Sequence, residues 1–146
     1  MAVPGAPGML PLICYEAIFP GEVVDEADRP DWILNVTNDA WYGFTSGPFQ
    51  HLAIARVRAV EEGLPLVRDG DNGISAVVDP YGRLIAHLDL DAVGVLDSSL
   101  PKPLPPTFFS RAGDGCFAGF LLLLLVFAPA LSWLERRGPP PGSSAT

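Results

Sequence analysis

The 146-residue sequence is 49% hydrophobic and 18% charged, which excludes a disordered chain and suits one compact core. Its 17 acidic against nine basic residues give a net charge of −8, which excludes a nucleic-acid interface built on a basic face. Two cysteines, Cys14 and Cys116, and two histidines, His51 and His87, match neither a disulfide scaffold nor a four-ligand zinc spacing, so neither a metal nor a soluble cofactor is expected.

Residues 1–9 are Gly, Pro and small side chains with no anchoring pattern, and are expected to form a disordered tail. Leu10 to Tyr15 (LPLICY) is a short apolar run that predicts a buried strand ending at Cys14-Tyr15-Glu16. A helix is expected from about Pro20, with Glu22, Asp25 and Glu26 in its first turns and Arg29-Pro30 as its end. Trp32 to Val36 predicts a second strand, followed by a polar and aromatic loop from Thr37 to Gly43. Gly47-Pro48 opens a run to Glu62 with apolar residues at 49, 52, 53, 57 and 60, a helix closed by Gly63. Leu64 to Arg68 and Ile74 to Val78 read as strands. Asp79-Pro80-Tyr81-Gly82 reads as a β-turn leading into a strand over Arg83 to Leu88. Val93 to Leu96 is expected to add an edge strand, and prolines at 101, 103, 105 and 106 make residues 101–115 a stiff connector.

Phe117 to Leu134 is 18 residues without a charge, about 27 Å as a helix at ~1.5 Å per residue, close to the thickness of a bilayer core. A membrane span over 116–134 is expected, with Trp133 at the interface. Arg136 and Arg137 then place the tail 135–146 in the cytoplasm and residues 10–100 beyond the membrane.

A thiol that follows a strand and precedes a helical turn is presented at the strand's C-terminal end, which makes Cys14 a candidate nucleophile. Taken alone, a cysteine in an apolar run is more often a small buried hydrophobe. The segments LICYEAIFP (12–20), NVTNDAWYG (35–43), GPFQHLAIARVRAVEEGLPLVR (47–68) and NGISAVVDPYGRL (72–84) resemble, in order and spacing, successive blocks of the nitrilase superfamily. Within it, ICYE, TNDAWYG and GPFQH followed by an apolar C-terminal span resemble the apolipoprotein N-acyltransferases, over residues 10–137.

The resemblance implies an α/β fold: residues 10–100 as the C-terminal portion of a nitrilase-like α-β-β-α sandwich, followed by one transmembrane helix. It also implies an enzyme of the bacterial inner membrane with its catalytic part facing the periplasm. In that family a cysteine takes a fatty acyl group from a phospholipid as a thioester. The acyl group then passes to the α-amino group of the diacylglyceryl-cysteine of an apolipoprotein. Cys14 falls on the nucleophile, Tyr15 and Glu16 on the motif positions beside it, and Asn38, Asp39 and Trp41 on a loop that walls the active site. Read from the residues alone, Glu16 is also a solvated carboxylate at a helix start, and Asn38 and Asp39 are also ordinary turn residues. His51, near a helix start, is read as a structural hydrogen-bonding residue rather than a base.

The family's catalytic Glu and Lys lie upstream of the cysteine, and 13 residues precede Cys14, so this chain by itself is expected to be inactive. Lys102, the only lysine, matches no catalytic position. Asp69-Gly70-Asp71-Asn72 departs from the small residues usual in the family, and Asp71 adds a carboxylate there. The competing readings are a membrane-tethered carbon–nitrogen hydrolase acting on a small amide or nitrile, and a non-catalytic membrane-anchored module.

Overall fold

Short runs of apolar and β-branched residues pair into one five-stranded sheet of order β1-β2-β3-β4-β5. The strands are β1 (Met9–Ile13), β2 (Trp32–Asn38), β3 (Leu66–Asp71), β4 (Ser75–Val78) and β5 (Leu84–Leu88). A computed structural model of the chain describes residues 4–21 and 23–136, which fall into two compact units divided after Gly113. β1, β2 and β3 run parallel, with Ile13 beside Val36 and Asn38 beside Asp71; β3, β4 and β5 run antiparallel.

Helix α1 (Gly47–Glu62) connects β2 to β3, as a parallel pair requires. It has Pro48 in its first turn, and Gly63 ends it at φ +67°, where a residue with a Cβ is strained. Its Leu52, Ala55 and Ala59 pack on Leu12, Ile33, Leu66, Ala76 and Val78. Two alanines at these contacts let the helix approach the sheet closely. On the sheet's opposite face the alternation puts Pro11 and Ile13 beside Leu34 and Val36, and Ile13 and Val36 are 67% and 44% exposed.

Two expected elements differ. Among the described residues no helix starts near Pro20: Gly21 takes φ +72°, and the Asp25 carboxylate accepts from Ala27 N to cap only a 3-10 turn over Glu26–Asp28. Val23 and Val24 pack against the core from this segment without helical turns, and Glu22 lies outside the described residues. A 3-10 turn over Cys14–Ile18 follows β1 instead. Val93–Leu96 forms no edge strand, because Asp91 at φ +59° turns the chain. Gly94 and Leu96 then lie with Val67, Val77 and Leu88 around one hollow, while Val93 and Val95 are exposed.

The expected N-terminal tail is shorter than nine residues: Met9 is buried and paired with Trp32, and Gly8 N donates to Asp31 Oδ2 at 2.8 Å. Residues 1–3 lie outside the described residues. The proline-rich connector contains a short helix, α2 (Phe108–Ala112), capped by the Thr107 hydroxyl, which accepts from Ser110 N.

The second unit consists of helix α3 (Gly115–Arg136), with Pro129 inside it. Its described side chains from Phe117 to Phe127 include Phe117, Phe120, Leu125 and Val126, all exposed. Among the described residues no helix is long and apolar enough to cross a membrane. The expected span of 116–134 runs on past Pro129 into side chains that lie outside them, as does the tail from residue 137.

The hairpin turn gives a first prediction. Asp79 Oδ1 accepts from Tyr81 N (3.0 Å) and Arg83 N (2.9 Å), and Oδ2 from Arg83 Nε (2.6 Å). Burial alone would raise this carboxyl's pKa, but the hydrogen bonds from Arg83 and Tyr81 and the Arg83 charge together hold it below the usual 3.8. A depressed carboxyl contributes stability that is present above its unfolded pKa and is lost as pH falls through the folded one. Asp79→Asn is expected to cost about 1 kcal/mol at pH 7, since the Arg83 pair is partly solvated. Thermal melts of both proteins should converge as the pH is lowered below 3.8.

Candidate functional site

The three parallel strands end along one edge, so the residues that follow them, Cys14, Asp39 and Asn72, are delivered to the same rim. The carboxyl ends of parallel strands are where α/β sheets present their ligand-facing loops. Two of these residues occupy the left-handed region although neither is glycine: Cys14 at φ +50° and Asn72 at φ +54°. Such positions persist only where surrounding bonds over-determine them.

Cys14 is partly buried and carries a free thiol. Two polar side chains bracket it. Glu16 Oε2 accepts from Ile13 N at 2.7 Å, closing the turn from below. Asn35, fully buried in the middle of β2, donates through Nδ2 to Leu12 O (3.1 Å) and to Cys14 O (3.4 Å).

Beneath this turn lies a buried polar cluster. The Arg68 guanidinium donates to Asn35 Oδ1 through Nη1 and to Asp39 Oδ2 through Nη2, the latter at 2.7 Å. Asp39 Oδ1 accepts from His51 at 2.8 Å and from the Thr37 hydroxyl at 3.3 Å. A carboxylate oxygen has only lone pairs to offer the ring, so His51 Nδ1 carries the proton in this bond. His51 Nε2 has no hydrogen-bond partner among the described residues. Asn35, Asp39, His51 and Arg68 are each at most 2% exposed. Charge inside is tolerated only when paired and hydrogen-bonded, and the two-pronged Arg68 fork meets both conditions.

Tyr42 joins the cluster to the rim. Its ring lies edge-on to His51 with centroids 5.7 Å apart. Burial first, then the Asp39 carboxylate and the Cys14 and Tyr15 groups, hold its hydroxyl above the ordinary 10.0, against a smaller lowering by Arg68.

The residues singled out from the sequence divide. Asp39 is an internal charge partner, not a turn residue in solvent. Glu16 caps the cysteine turn. Asn38 Nδ2 donates to Asp71 Oδ2 at 3.0 Å while its Oδ1 accepts from Ala40 N at 2.9 Å, so the added Asp71 carboxylate is held by an amide. Tyr15 is exposed and sits edge-on to Phe19, centroids 6.2 Å apart. Trp41 is 91% exposed, beside Asn38 and Ala40 in a shallow hollow. His51 is the hydrogen-bonding residue its position at a helix start predicts. The motifs do not single out Asn35 and Arg68, although a signal exists. Asn35 stands in phase with Ile33 and Thr37, and Arg68 with Leu66, so both are polar residues on the face that must be covered.

The site's closeness yields a second prediction. A Cβ on Gly73 would stand 2.5 Å from Asp39 Oδ2 and 2.9 Å from Asp39 Cγ, and Asp39 cannot retreat without leaving Arg68. Gly73→Ala is expected to cost about 1–3 kcal/mol by overpacking, read as a lower urea midpoint at unchanged m-value.

Comparison with known proteins places these features. The chain is 56% identical over 95% of its length to the apolipoprotein N-acyltransferase of Bradyrhizobium diazoefficiens. It is 52% identical over 98% of its length to the protein of that name in Rhodopseudomonas palustris. In each case it spans 26% of the relative, about a quarter of these curated proteins. Among solved structures, a mutant of the amidase from Nesterenkonia sp. AN1, with acrylamide added at its active-site cysteine, matches 59% of this chain and 36% of that one at 27% identity and a TM-score of 0.46. The carbon-nitrogen hydrolase family itself matches residues 7–103, more than half of the sequence and all five strands with α1. The chain belongs to the carbon–nitrogen hydrolase family.

Proposed function

We propose that this chain is the cysteine-bearing part of an apolipoprotein N-acyltransferase. The observation that carries the proposal is Cys14 itself, a thiol held in a left-handed turn at the end of a parallel strand and bracketed by Glu16 and Asn35. The two relatives of that name, at 56% and 52% identity, supply the substrate class.

In the first half-reaction the Cys14 sulfur attacks the ester carbonyl of a phospholipid acyl chain. A C–S bond forms, the ester C–O bond breaks, and the lysophospholipid leaves with a proton on its new hydroxyl. In the second, the α-amino group of a diacylglyceryl-cysteine attacks the thioester. A C–N bond forms, C–S breaks, the amine loses a proton, and the thiol is restored. Glu16 positions the turn, and the exposed indole of Trp41 offers an apolar surface to an acyl chain. Tyr15 and Asn38 line the approach. Asp39 acts from below through Arg68. The catalytic Glu and Lys of the family are assigned to the part of the relatives that this chain does not span.

The same reading assigns the outer face of Pro11, Ile13, Leu34 and Val36 to a second sheet, completing an α-β-β-α sandwich, since two apolar sheet faces pack about 10 Å apart. It assigns α3 to the bacterial inner membrane. In support, the sequence from Phe117 to Leu134 is uncharged, and Arg136 and Arg137 follow it, as at a cytoplasmic end. The catalytic part then faces the periplasm, where phospholipid and apolipoprotein meet it.

The test is a chimera in which this chain replaces the matching quarter of the Bradyrhizobium diazoefficiens relative, expressed in cells depleted of their own enzyme. Mass spectrometry of a lipoprotein N-terminus should show a third acyl chain, with no such increment when the chimera carries Cys14→Ala. A folded, membrane-inserted chimera that leaves lipoproteins diacylated overturns the assignment, and hydrolysis of a small amide in its place would install the hydrolase reading.

A further inference from the structure

We infer that Asn35 is the positioning residue of the Cys14 nucleophile, and that Arg68 and Asp39 serve to aim it. The inference rests on the reading of Cys14 as a nucleophile but names a residue and a route which that reading does not contain. An Asn side chain has one oxygen and one NH2 group, and both are committed. Oδ1 accepts from Arg68 Nη1, and Nδ2 reaches Leu12 O and Cys14 O. Arg68 is itself fixed by Asp39 at 2.7 Å, and Asp39 by His51 at 2.8 Å. A chain of hydrogen bonds thus runs from the interior of the unit to the carbonyls of Leu12 and Cys14, and Cys14 is held at φ +50°.

Geometry gives the direction of the effect. Leu12 points to the face covered by α1 and Ile13 to the opposite one. Were Cys14 to relax to an extended φ, alternation would turn its side chain toward the same covered face as Leu12. The left-handed turn instead keeps the thiol at the rim. The positive φ costs on the order of 1–3 kcal/mol, and the Asn35 amide, gripping the carbonyls on both sides of the turn, is placed to oppose relaxation. Glu16 holds only Ile13 N.

The experiment uses the full 146-residue chain in detergent micelles and requires no acyl transfer, so it decides this inference whether or not the N-acyltransferase assignment stands. Iodoacetamide modification of Cys14 is followed by peptide mass spectrometry across pH 6–10, with the exposed Cys116 as an internal reference in the same molecules. Asn35→Leu keeps the volume and removes both donations. Asn35→Asp keeps an acceptor for Arg68 while removing the NH2 group, and decides the matter if the Leu variant loses its circular dichroism. Asp79→Asn loosens the β4–β5 turn of the same unit without touching the route to Cys14.

The expected result is an about tenfold lower plateau rate at Cys14, relative to Cys116, in the folded Asn35 variants, with Asp79→Asn at the wild-type ratio. A residue that merely stabilised the fold would raise the Cys14 rate, because loosening exposes a partly buried thiol. An unchanged or faster Cys14 in a folded Asn35 variant, or an equal slowing in Asp79→Asn, overturns the inference.

Discussion

Arg68→Met is expected to unfold most of the first unit. The substitution removes the cation from a buried pair and strands the Asp39 carboxylate, which keeps only His51 and Thr37. Breaking a buried pair by deleting one partner costs about 3–5 kcal/mol, against a total of about 5–15 kcal/mol for a domain. It also strips Asn35 of the donor at its Oδ1, adding an unsatisfied buried acceptor at about 1–3 kcal/mol. Urea titration followed by circular dichroism should find the variant near or beyond its midpoint without denaturant.

A second substitution separates charge from packing. Adding Asp39→Asn to Arg68→Met removes the stranded charge, so the double variant should be more stable than the sum of the single losses predicts. Arg68→Lys keeps the charge but cannot fork between Asn35 and Asp39, and should fall between wild type and Met. A double variant no better than additive would mean that Arg68 acts by filling space.

Much of the architecture is legible in the sequence because it depends on local signals. The α1 stripe with Pro48 at one end and Gly63 at the other, and the Asp79–Gly82 turn, announce themselves through residues whose backbone preferences are strong. Where the reading fails, the deciding interaction is remote or the local signal ambiguous. Acids after Pro20 look like a helix start, but Gly21 turns at φ +72° and Val23 and Val24 reach the core without helical turns. Val93 and Val95 look like a strand, but the turn at Asp91 carries them across the sheet instead of along its edge. The motif blocks lead straight to Cys14, Glu16 and Asp39, which lie near turns. They do not single out Asn35 and Arg68, since a strand Asn and a strand Arg become meaningful only when register places them side by side on the covered face. His51 shows the intermediate case: its type and position predict a structural bond, and only the fold supplies Asp39, 12 residues away in sequence, as its partner.

The left-handed turn at Cys14 sets stability against chemistry at a single atom. Glycine adopts φ +50° without the steric cost that a Cβ imposes there, so Cys14→Gly is expected to stabilise the unit by about 1 kcal/mol, net of the greater chain entropy glycine brings to the unfolded state. Cys14→Ala keeps the Cβ and the strain, and loses only a partly buried sulfur, so its stability should lie within about 0.5 kcal/mol of wild type. Both variants remove the thiol, and in the proposed N-acyltransferase chimera neither should form a thioester. Calorimetric melts should therefore rank Gly above Ala and wild type, while intact-mass measurement after phospholipid treatment ranks wild type alone above zero. That opposite ordering is the signature of strain retained for reactivity. A glycine variant less stable than alanine would show that the turn is not strained in solution, and would remove the reason for Asn35 and Glu16 to clamp it.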